Sequence, residues 1–385
     1  MPKRPRRLAV ESRCSGAPDH VAPTAPRILG AGLVTLDIVL RTSKRTHVAG
    51  DVWEVAHWAG GTCGNVLAAL SYLGWRAAPI ARLGADGAAE AIVGDLKHSG
   101  VDTEWLVREA HGESSRIAQV VTERPGHAPR HRFAFSCPAC GAPFARYRPP
   151  RMEQFEAVSA AASAGGDIPD VFFFDRVSPA ILAMAKWFRR QGALIYFEPS
   201  GIGKPAEFRE AVEVSHIVKY AHDRLHEPLA VFGGLGRMAR RPRVEIETLG
   251  VEGLRFRVND GTARGRQWRR QPAFRVTEVR DAAGAGDWCS AGTLLQLGWR
   301  RGNDVEELSS DAVAFALTFG QALAALTCQH VGPRSVTRVV RSGDMLASAA
   351  AVQRDGLSPS VPNFIPSLSD IARVSAGKCG TCLRV

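Results

Sequence analysis

The chain has 385 residues, 45% of them apolar and 23% charged, and 49 Lys and Arg against 38 Asp and Glu leave a formal charge of +11. These are the proportions of a globular protein and argue against a wholly disordered, collagen-like or membrane-embedded chain. The length exceeds the roughly 250–300 residues at which single cores stop growing, so one large domain with a smaller appendage, or two domains, is expected.

Residues 1–26 are rich in Arg, Pro, Ser and Ala without periodic apolar spacing and read as a flexible basic arm, with Lys3, Arg4, Arg6, Arg7 and Arg13 against Glu11. No apolar stretch of the kind a secretory signal requires follows Met1–Arg7, so a cytoplasmic location is expected. A solvated arm on an enzyme that handles anionic ligands is the simpler account of the charge, and neither nucleic acid nor a membrane is expected as partner.

Folded structure is expected from Arg27. Ile28-Leu29-Gly30-Ala31-Gly32-Leu33-Val34 reads as a buried strand running into a glycine turn, with Asp37 just beyond the strand end, where open parallel sheets place ligand contacts. Val48, Val52, Trp53, Val55 and Trp58 are β-like, as are the short alternating runs in Arg116–Phe135, so lid strands from about 42–59 and 116–136 are expected to form a small second sheet. Between them Val66, Ala69, Leu70 and Leu73 follow helical spacing, and Gly74 is a natural stop.

From about residue 155, apolar strands (Val171–Phe174, Ala193–Phe197, His216–Val218, Val244–Thr248) alternate with helical stretches. That rhythm indicates βαβ units and a doubly wound, mostly parallel α/β sheet with helices on both faces. Ala312–Leu326, interrupted by Thr318, Gly320 and Gln321, reads as a buried helix rather than a membrane span. Residues 27–350 are expected to form the main domain and 351–385 a tail. Asp175, after the Val171–Phe174 run, either reaches substrate or simply ends its strand.

The most informative run is Asp281-Ala282-Ala283-Gly284-Ala285-Gly286-Asp287, followed by a helix of about three turns that ends at Gly298. Its glycines let backbone N–H groups approach a ligand, and the helix N-terminus adds about half a positive charge. Asp287 falls in the first turn, within reach of an attacking hydroxyl, where it either acts as general base or merely caps the helix. Other phosphate motifs are excluded: Gly203-Lys204 is followed by Pro205, so there is no Walker A loop, and neither Gly30-x-Gly32 nor Gly284-x-Gly286 completes GxGxxG.

A second run, Gly60-Gly61-Thr62-Cys63-Gly64-Asn65 through Leu73-Gly74, continues into Arg82-Leu83-Gly84-Ala85-Asp86-Gly87. Together the two runs resemble the paired signatures of the ribokinase-like (PfkB) carbohydrate kinases, in order and separation, over about residues 27–340. The resemblance implies the ribokinase-like fold with a small β-sheet lid, ATP and Mg²⁺ as cofactors, and phosphorylation of a hydroxyl of a small sugar or polyol. It assigns Asp37, Gly60, Gly61 and Asn65 to the acceptor, Asp287 to the catalytic base, and Gly284, Ala285 and Gly286 to the anion hole. Thr248, Gly250 and Gly253 resemble the strand-turn at the ATP phosphates, and Gly332 the late turn beside the adenine.

Some positions depart from the family pattern. Ala282 and Thr293 are atypical, Glu198-Pro199-Ser200 replaces the more common Asp-Pro-Asn, and Lys219-Tyr220-Ala221-His222-Asp223-Arg224 replaces the Asn-x-x-Glu that organises Mg²⁺ and phosphate. The alternatives are a nucleoside kinase of the same fold, or a non-catalytic zinc-containing regulatory or nucleic-acid-binding protein built on it. A homodimer through the lid is compatible with the pattern.

Among eight cysteines, Cys137-Pro138-Ala139-Cys140-Gly141 and Cys379-Gly380-Thr381-Cys382 form two tight pairs. The first looks like a zinc knuckle, and the two pairs together would make a closed, structural S₄ site. The fold would have to bring them together. Redox chemistry and unrelated thiols are the other readings.

Overall fold

The computed structural model of the chain describes residues 25–42, 54–124, 127–225, 240–262, 267–276 and 279–356. The basic arm before residue 25, the expected β residues Val48, Val52 and Trp53, and the tail beyond residue 356 with Cys379 and Cys382 lie outside the described residues.

In chain order the elements are β1 (Arg27–Ala31), β2 (Thr35–Thr42), β3 (Glu54–Gly60), α1 (Thr62–Tyr72), β4 (Arg76–Gly84), α2 (Gly87–His98), β5 (Leu106–Glu109), β6 (Arg116–Arg124), β7 (His127–Ala134) and α3 (Met152–Gly165). The alternation continues with β8 (Val171–Phe174), α4 (Pro179–Arg190), β9 (Leu194–Phe197), α5 (Pro205–Val214), β10 (Ile217–Ala221) and β11 (Val244–Thr248). Then follow β12 (Leu254–Val258), β13 (Arg269–Gln271), α6 (Ala285–Leu297), α7 (Ser310–Thr327) and α8 (Ser342–Asp355).

The main sheet has nine strands in the order β13-β12-β11-β10-β9-β8-β1-β4-β5. Pairing is parallel from β11 to β5, as expected from the alternation, and antiparallel at the β11–β12 and β12–β13 edge. Side chains leave the sheet at period two. Phe173 and Tyr196 join the layer that holds α1, α6, α7 and α8, whereas Phe172, Phe174 and Phe197 join α4 and α5 on the other face. A strand covered on both sides has no polar face, which is why Val171–Phe174 reads as a continuous apolar run.

The four-stranded second sheet runs β3-β2-β6-β7. Leu36, Ile38 and Leu40 of β2 alternate onto a core shared with Ala88, Ile92 and Leu96 of α2. This burial extends β2 back to Thr35, so the lid begins earlier than residue 42, and Asp37, beyond the end of β1, lies within β2, paired with Trp58 of β3. The bend before it depends on Gly32, where a Cβ would lie 1.8 Å from the Asp175 carboxylate. Asp175 ends β8 and accepts from the Leu33 N–H (2.8 Å), which gives it a structural role in holding that bend.

Helix α1 stops as its sequence suggests. Gly74 takes φ +94°, while Trp75 N–H donates to the Leu70 carbonyl (2.9 Å) and Gly74 N–H to that of Ser71 (3.0 Å). Helix α7 is long and apolar enough to cross a membrane, yet 61% of it is buried inside the fold. It lies directly against α6: a Cβ on Gly292 would sit 2.8 Å from the Gly320 Cα, so two glycines bring the backbones together. That contact seats α6, whose N-terminus carries Asp287.

Candidate active site

One side of the site is built where β3 turns into α1. Gly61 has φ +84°, and a Cβ there would lie 2.3 Å from the Leu33 carbonyl, so the turn requires glycine. A Cβ on Gly60 would lie 1.9 Å from Asp37 Oδ2, which means that the Asp37 carboxylate rests on the Gly60 backbone. One turn further, the buried Asn65 Nδ2 donates to Asp287 Oδ2 (2.7 Å). The Arg334 Nε donates to Asn65 Oδ1 (3.0 Å), and Arg334 also pairs with Asp95 of α2 (3.3 Å). Asp95 in turn accepts from Arg338 (3.0 Å) and from the Ala59 N–H of the lid (3.2 Å), while the Arg338 guanidinium stacks on Trp58 at 4.4 Å. The lid strand is thereby fastened to the body beside Asn65.

The other side is the start of α6. Gly284 adopts φ +79° at the N-cap, and Asp287 sits in the first turn, 9% exposed. Asp281 holds the loop, accepting the Ala283 N–H (2.8 Å) on one oxygen and the Gly332 N–H (2.9 Å) on the other. Beneath it the buried Lys219 Nζ donates to the Gly286 carbonyl (3.0 Å) and to Glu198, which also accepts from Ser290 Oγ.

Burial is the main reason the Asp287 carboxyl is pushed up to about 7, with the Glu198 charge adding to it; the Asn65 hydrogen bond, Lys219 and Arg224 act in the opposite sense. Burial likewise raises Asp37 to about 7, against the pull of Arg334, with Asp287 contributing repulsion. Two carboxyls poised near neutrality, one at the mouth of a helix and one against the Gly60–Gly61 turn, are a suitable arrangement for binding a hydroxyl and removing its proton.

Asp37, Gly60, Gly61, Asn65 and Asp287 are therefore brought together, with Gly284, Ala285 and Gly286 at the helix that carries Asp287. Thr248, Gly250 and Gly253 lie on the turn from β11 to β12, beside the end of β10, where the His222 N–H donates to the Thr248 carbonyl (3.0 Å). Gly253 has φ +93° and stands where a Cβ would meet the Gln271 carbonyl at 2.1 Å. Gly332 lies between the lid and the loop before α6: a Cβ there would be 3.3 Å from the Trp58 ring, and its N–H donates to Asp281 (2.9 Å).

The segment that stands in place of the Mg²⁺-organising Asn-x-x-Glu keeps one carboxylate, the exposed Asp223. Lys219, His222 and Arg224 bring cationic or neutral groups, Glu198 is engaged by Lys219 and Ser290, and Glu247 by His222 and Arg255. Among the described residues no group of three or more His, Cys, Asp or Glu could hold a metal ion. Cys137 and Cys140 lie on a tight turn in which the Gly141 N–H donates to the Cys137 carbonyl (2.8 Å) and Gly141 takes φ +72°. Cys379 and Cys382 are outside the described residues.

Sequence reasoning missed Arg334 and Asp95. A charged residue directly after Gly332-Pro333 was the available signal for Arg334, but its partner Asn65 is 269 residues away.

A doubly wound sheet capped by a small β lid, with an acid at the start of a glycine-led helix facing an Asn-bearing helix, defines the ribokinase-like class of sugar and nucleoside kinase folds. The family model described as pfkB family carbohydrate kinase matches residues 26–338, and the chain belongs to that family. Its fold is similar to that of ribokinase from Giardia lamblia (14% identity, TM-score 0.64, covering 85% of this chain and 99% of that one). It is also similar to Arabidopsis thaliana ribokinase complexed with ribose and ATP (16%, 0.59, 84% and 98%) and to Burkholderia thailandensis nucleoside kinase in complex with inosine (18%, 0.58, 87% and 100%). No curated protein matches the sequence at a significant level.

Proposed function

We propose that the protein is an ATP-dependent kinase that phosphorylates a hydroxyl of a small sugar or polyol. The observation that carries this reading is the Asn65–Asp287 hydrogen bond, which joins the acceptor helix to the acid at the N-terminus of α6. In the mechanism, Asp37, Asn65 and the Gly60–Gly61 backbone orient the acceptor, and Asp287 takes the proton of the attacking hydroxyl. The N–H groups of Gly284–Asp287 and the positive end of α6 stabilise charge on the transferring phosphoryl group of ATP, whose phosphates lie toward the Thr248–Gly253 turn. The lid excludes water and so limits futile hydrolysis. The solved ribokinase structure complexed with ribose and ATP supports this choice of ligands by similarity of fold.

A panel of free sugars, polyols and nucleosides in an ADP-release assay tests the proposal. Turnover with a sugar or polyol is expected, nucleosides alone as acceptors would shift the assignment to a nucleoside kinase, and no turnover with any of them would remove it.

Because the base must be ionised and its carboxyl is raised to about 7, kcat/KM should rise with pH between about 6 and 8 and level off above. Asp37 titrates in the same range, so the profile reports the pair, and Asp37→Asn should change its shape. A flat profile over that range would remove a carboxyl of raised pKa from the rate-determining chemistry.

The reading includes one structural zinc shared by Cys137, Cys140, Cys379 and Cys382, supported by the turn at Cys137–Gly141 and by the thiol donor set. Metal analysis should find about one zinc per chain, lost in Cys140→Ser, a change at an exposed position. Well under one zinc in the wild type would exclude the site.

A further inference from the structure

Arg334 is the least explained charge in the site. Its side chain is 2% exposed. A guanidinium has five N–H donors, and here Nε is satisfied by Asn65 Oδ1 while Nη1 and Nη2 are both buried without a hydrogen-bond partner. Nη1 lies 3.3 Å from Asp95 Oδ2, close enough for charge attraction, but that carboxylate is already divided between Arg338 and the Ala59 N–H. Nη2 would be 3.8 Å from a Cβ on Gly64, which puts the unpartnered edge of the fork against the first turn of α1, within one residue of Asn65. That turn has Gly61 as N-cap and no acidic residue of its own; its Gly64 N–H is taken by the Leu33 carbonyl (3.2 Å) and the Gly61 N–H by Asp37.

Leaving donors unmade in a dry site is costly, and a planar fork beside a helix N-terminus matches the geometry of a carboxylate or phosphate. Asp37 and Asp287 face the same guanidinium, and their charges help to hold it in place. Resting on the kinase reading above, we infer that Arg334 makes the acceptor site selective for a hydroxyl compound that bears an anionic group, either a carboxylate or a phosphate monoester, received by its Nη edge. The acceptor hydroxyl then lies at Asp287, and the anionic group at the far side of Asn65.

The test is a matched acceptor panel in the ADP-release assay: neutral sugars, polyols and nucleosides, each beside its carboxylate (glucose with gluconate) and its phosphate monoester (glucose with glucose 6-phosphate). The best acceptor is expected to be anionic and to exceed its neutral counterpart in kcat/KM by at least about 10²-fold, since sites built around a buried polar partner reject analogues that lack it. In Arg334→Gln that ratio should collapse, mainly through KM. Arg334→Lys, which keeps the charge without the fork, should fold and retain only part of it. The carboxylate and phosphate arms separate the two sources of charge.

Calorimetric binding of the same anionic compounds gives a readout apart from turnover, expected to be at least about 10-fold weaker in Arg334→Gln. A neutral acceptor used as well as its charged counterpart, or a preference that survives Arg334→Gln, would overturn the inference while leaving the kinase assignment intact. If no acceptor releases ADP, the kinase reading falls, and the inference falls with it unless the Arg334-dependent binding is found.

Discussion

Asp287→Asn is expected to lower kcat by about 10²–10⁴-fold, the contribution of a positioned proton acceptor, with little change in ATP affinity. The substitution keeps the shape of the side chain and its place beside Asn65, but an amide cannot accept the hydroxyl proton. The same change should stabilise the fold. The Asp287 carboxyl is raised from 3.8 to about 7, so the wild type carries a stability contribution that is fully present below about 4 and is lost as pH rises through about 7. The melting temperature of Asp287→Asn should therefore exceed that of the wild type by an amount that grows between pH 4 and 7 and is constant above. Loss of turnover with a gain in stability identifies a strained functional acid; near-normal turnover would remove Asp287 from the chemistry. A helix-capping acid predicts the opposite pattern, with a lower melting temperature and unaltered kcat.

The parts of the site that sequence reasoning reached are those whose demands are local. Gly61 and Gly284 have to adopt positive φ, Asn65 and Asp287 fall in the first turns that follow, and such requirements leave a signature within a few adjacent residues. The parallel strands were legible for the same reason, because burial on both faces makes each a short unbroken apolar run. The start of β2 was not: Thr35–Asp37 follows a glycine bend, and only the packing of Leu36, Ile38 and Leu40 on α2 reveals that the strand begins there. The antiparallel β12–β13 edge was missed because Arg269–Gln271 has no apolar periodicity and is defined by its partner strand. Arg334, Asp95 and the Trp58–Asn65 segment come together from three separate stretches of chain, so no window of sequence contains their association. The contact of Gly332 with the loop before α6 has a similar origin, because the Asp281 carboxylate that accepts its N–H lies 51 residues earlier.

Gly284 and Gly286 carry the same label in the motif, yet their environments predict different outcomes when each is replaced by alanine. At Gly284 the backbone has φ +79° and an added Cβ would lie 2.6 Å from the Pro333 Cβ and 2.9 Å from its Cα, so both conformation and space oppose the side chain. The left-handed conformation alone costs about 1–2 kcal/mol for an L-residue, and the contact adds to it. Pro333 has little room to yield, because its carbonyl accepts the Trp288 Nε1–H (2.8 Å) and its neighbour Gly332 is held by Asp281. The start of α6 has to shift, carrying the anion hole and Asp287 with it, and a displacement of about 1 Å at a reacting group is enough to reduce rate by about 10²-fold. Gly284→Ala should accordingly lower both the melting temperature and kcat. At Gly286 the nearest atoms to an added Cβ are Lys219 Nζ at 3.7 Å and Glu198 Oε1 at 4.0 Å, ordinary contact distances within a helical turn. Gly286→Ala should therefore keep the wild-type melting temperature, with any kinetic loss arising where the methyl group meets the nucleotide. Thermal melts and steady-state kinetics on the two variants side by side make the comparison. Equal stability in both would mean that the Pro333 contact does not fix the helix start, and a Gly284→Ala variant with unaltered kcat would separate the position of that helix from phosphoryl transfer.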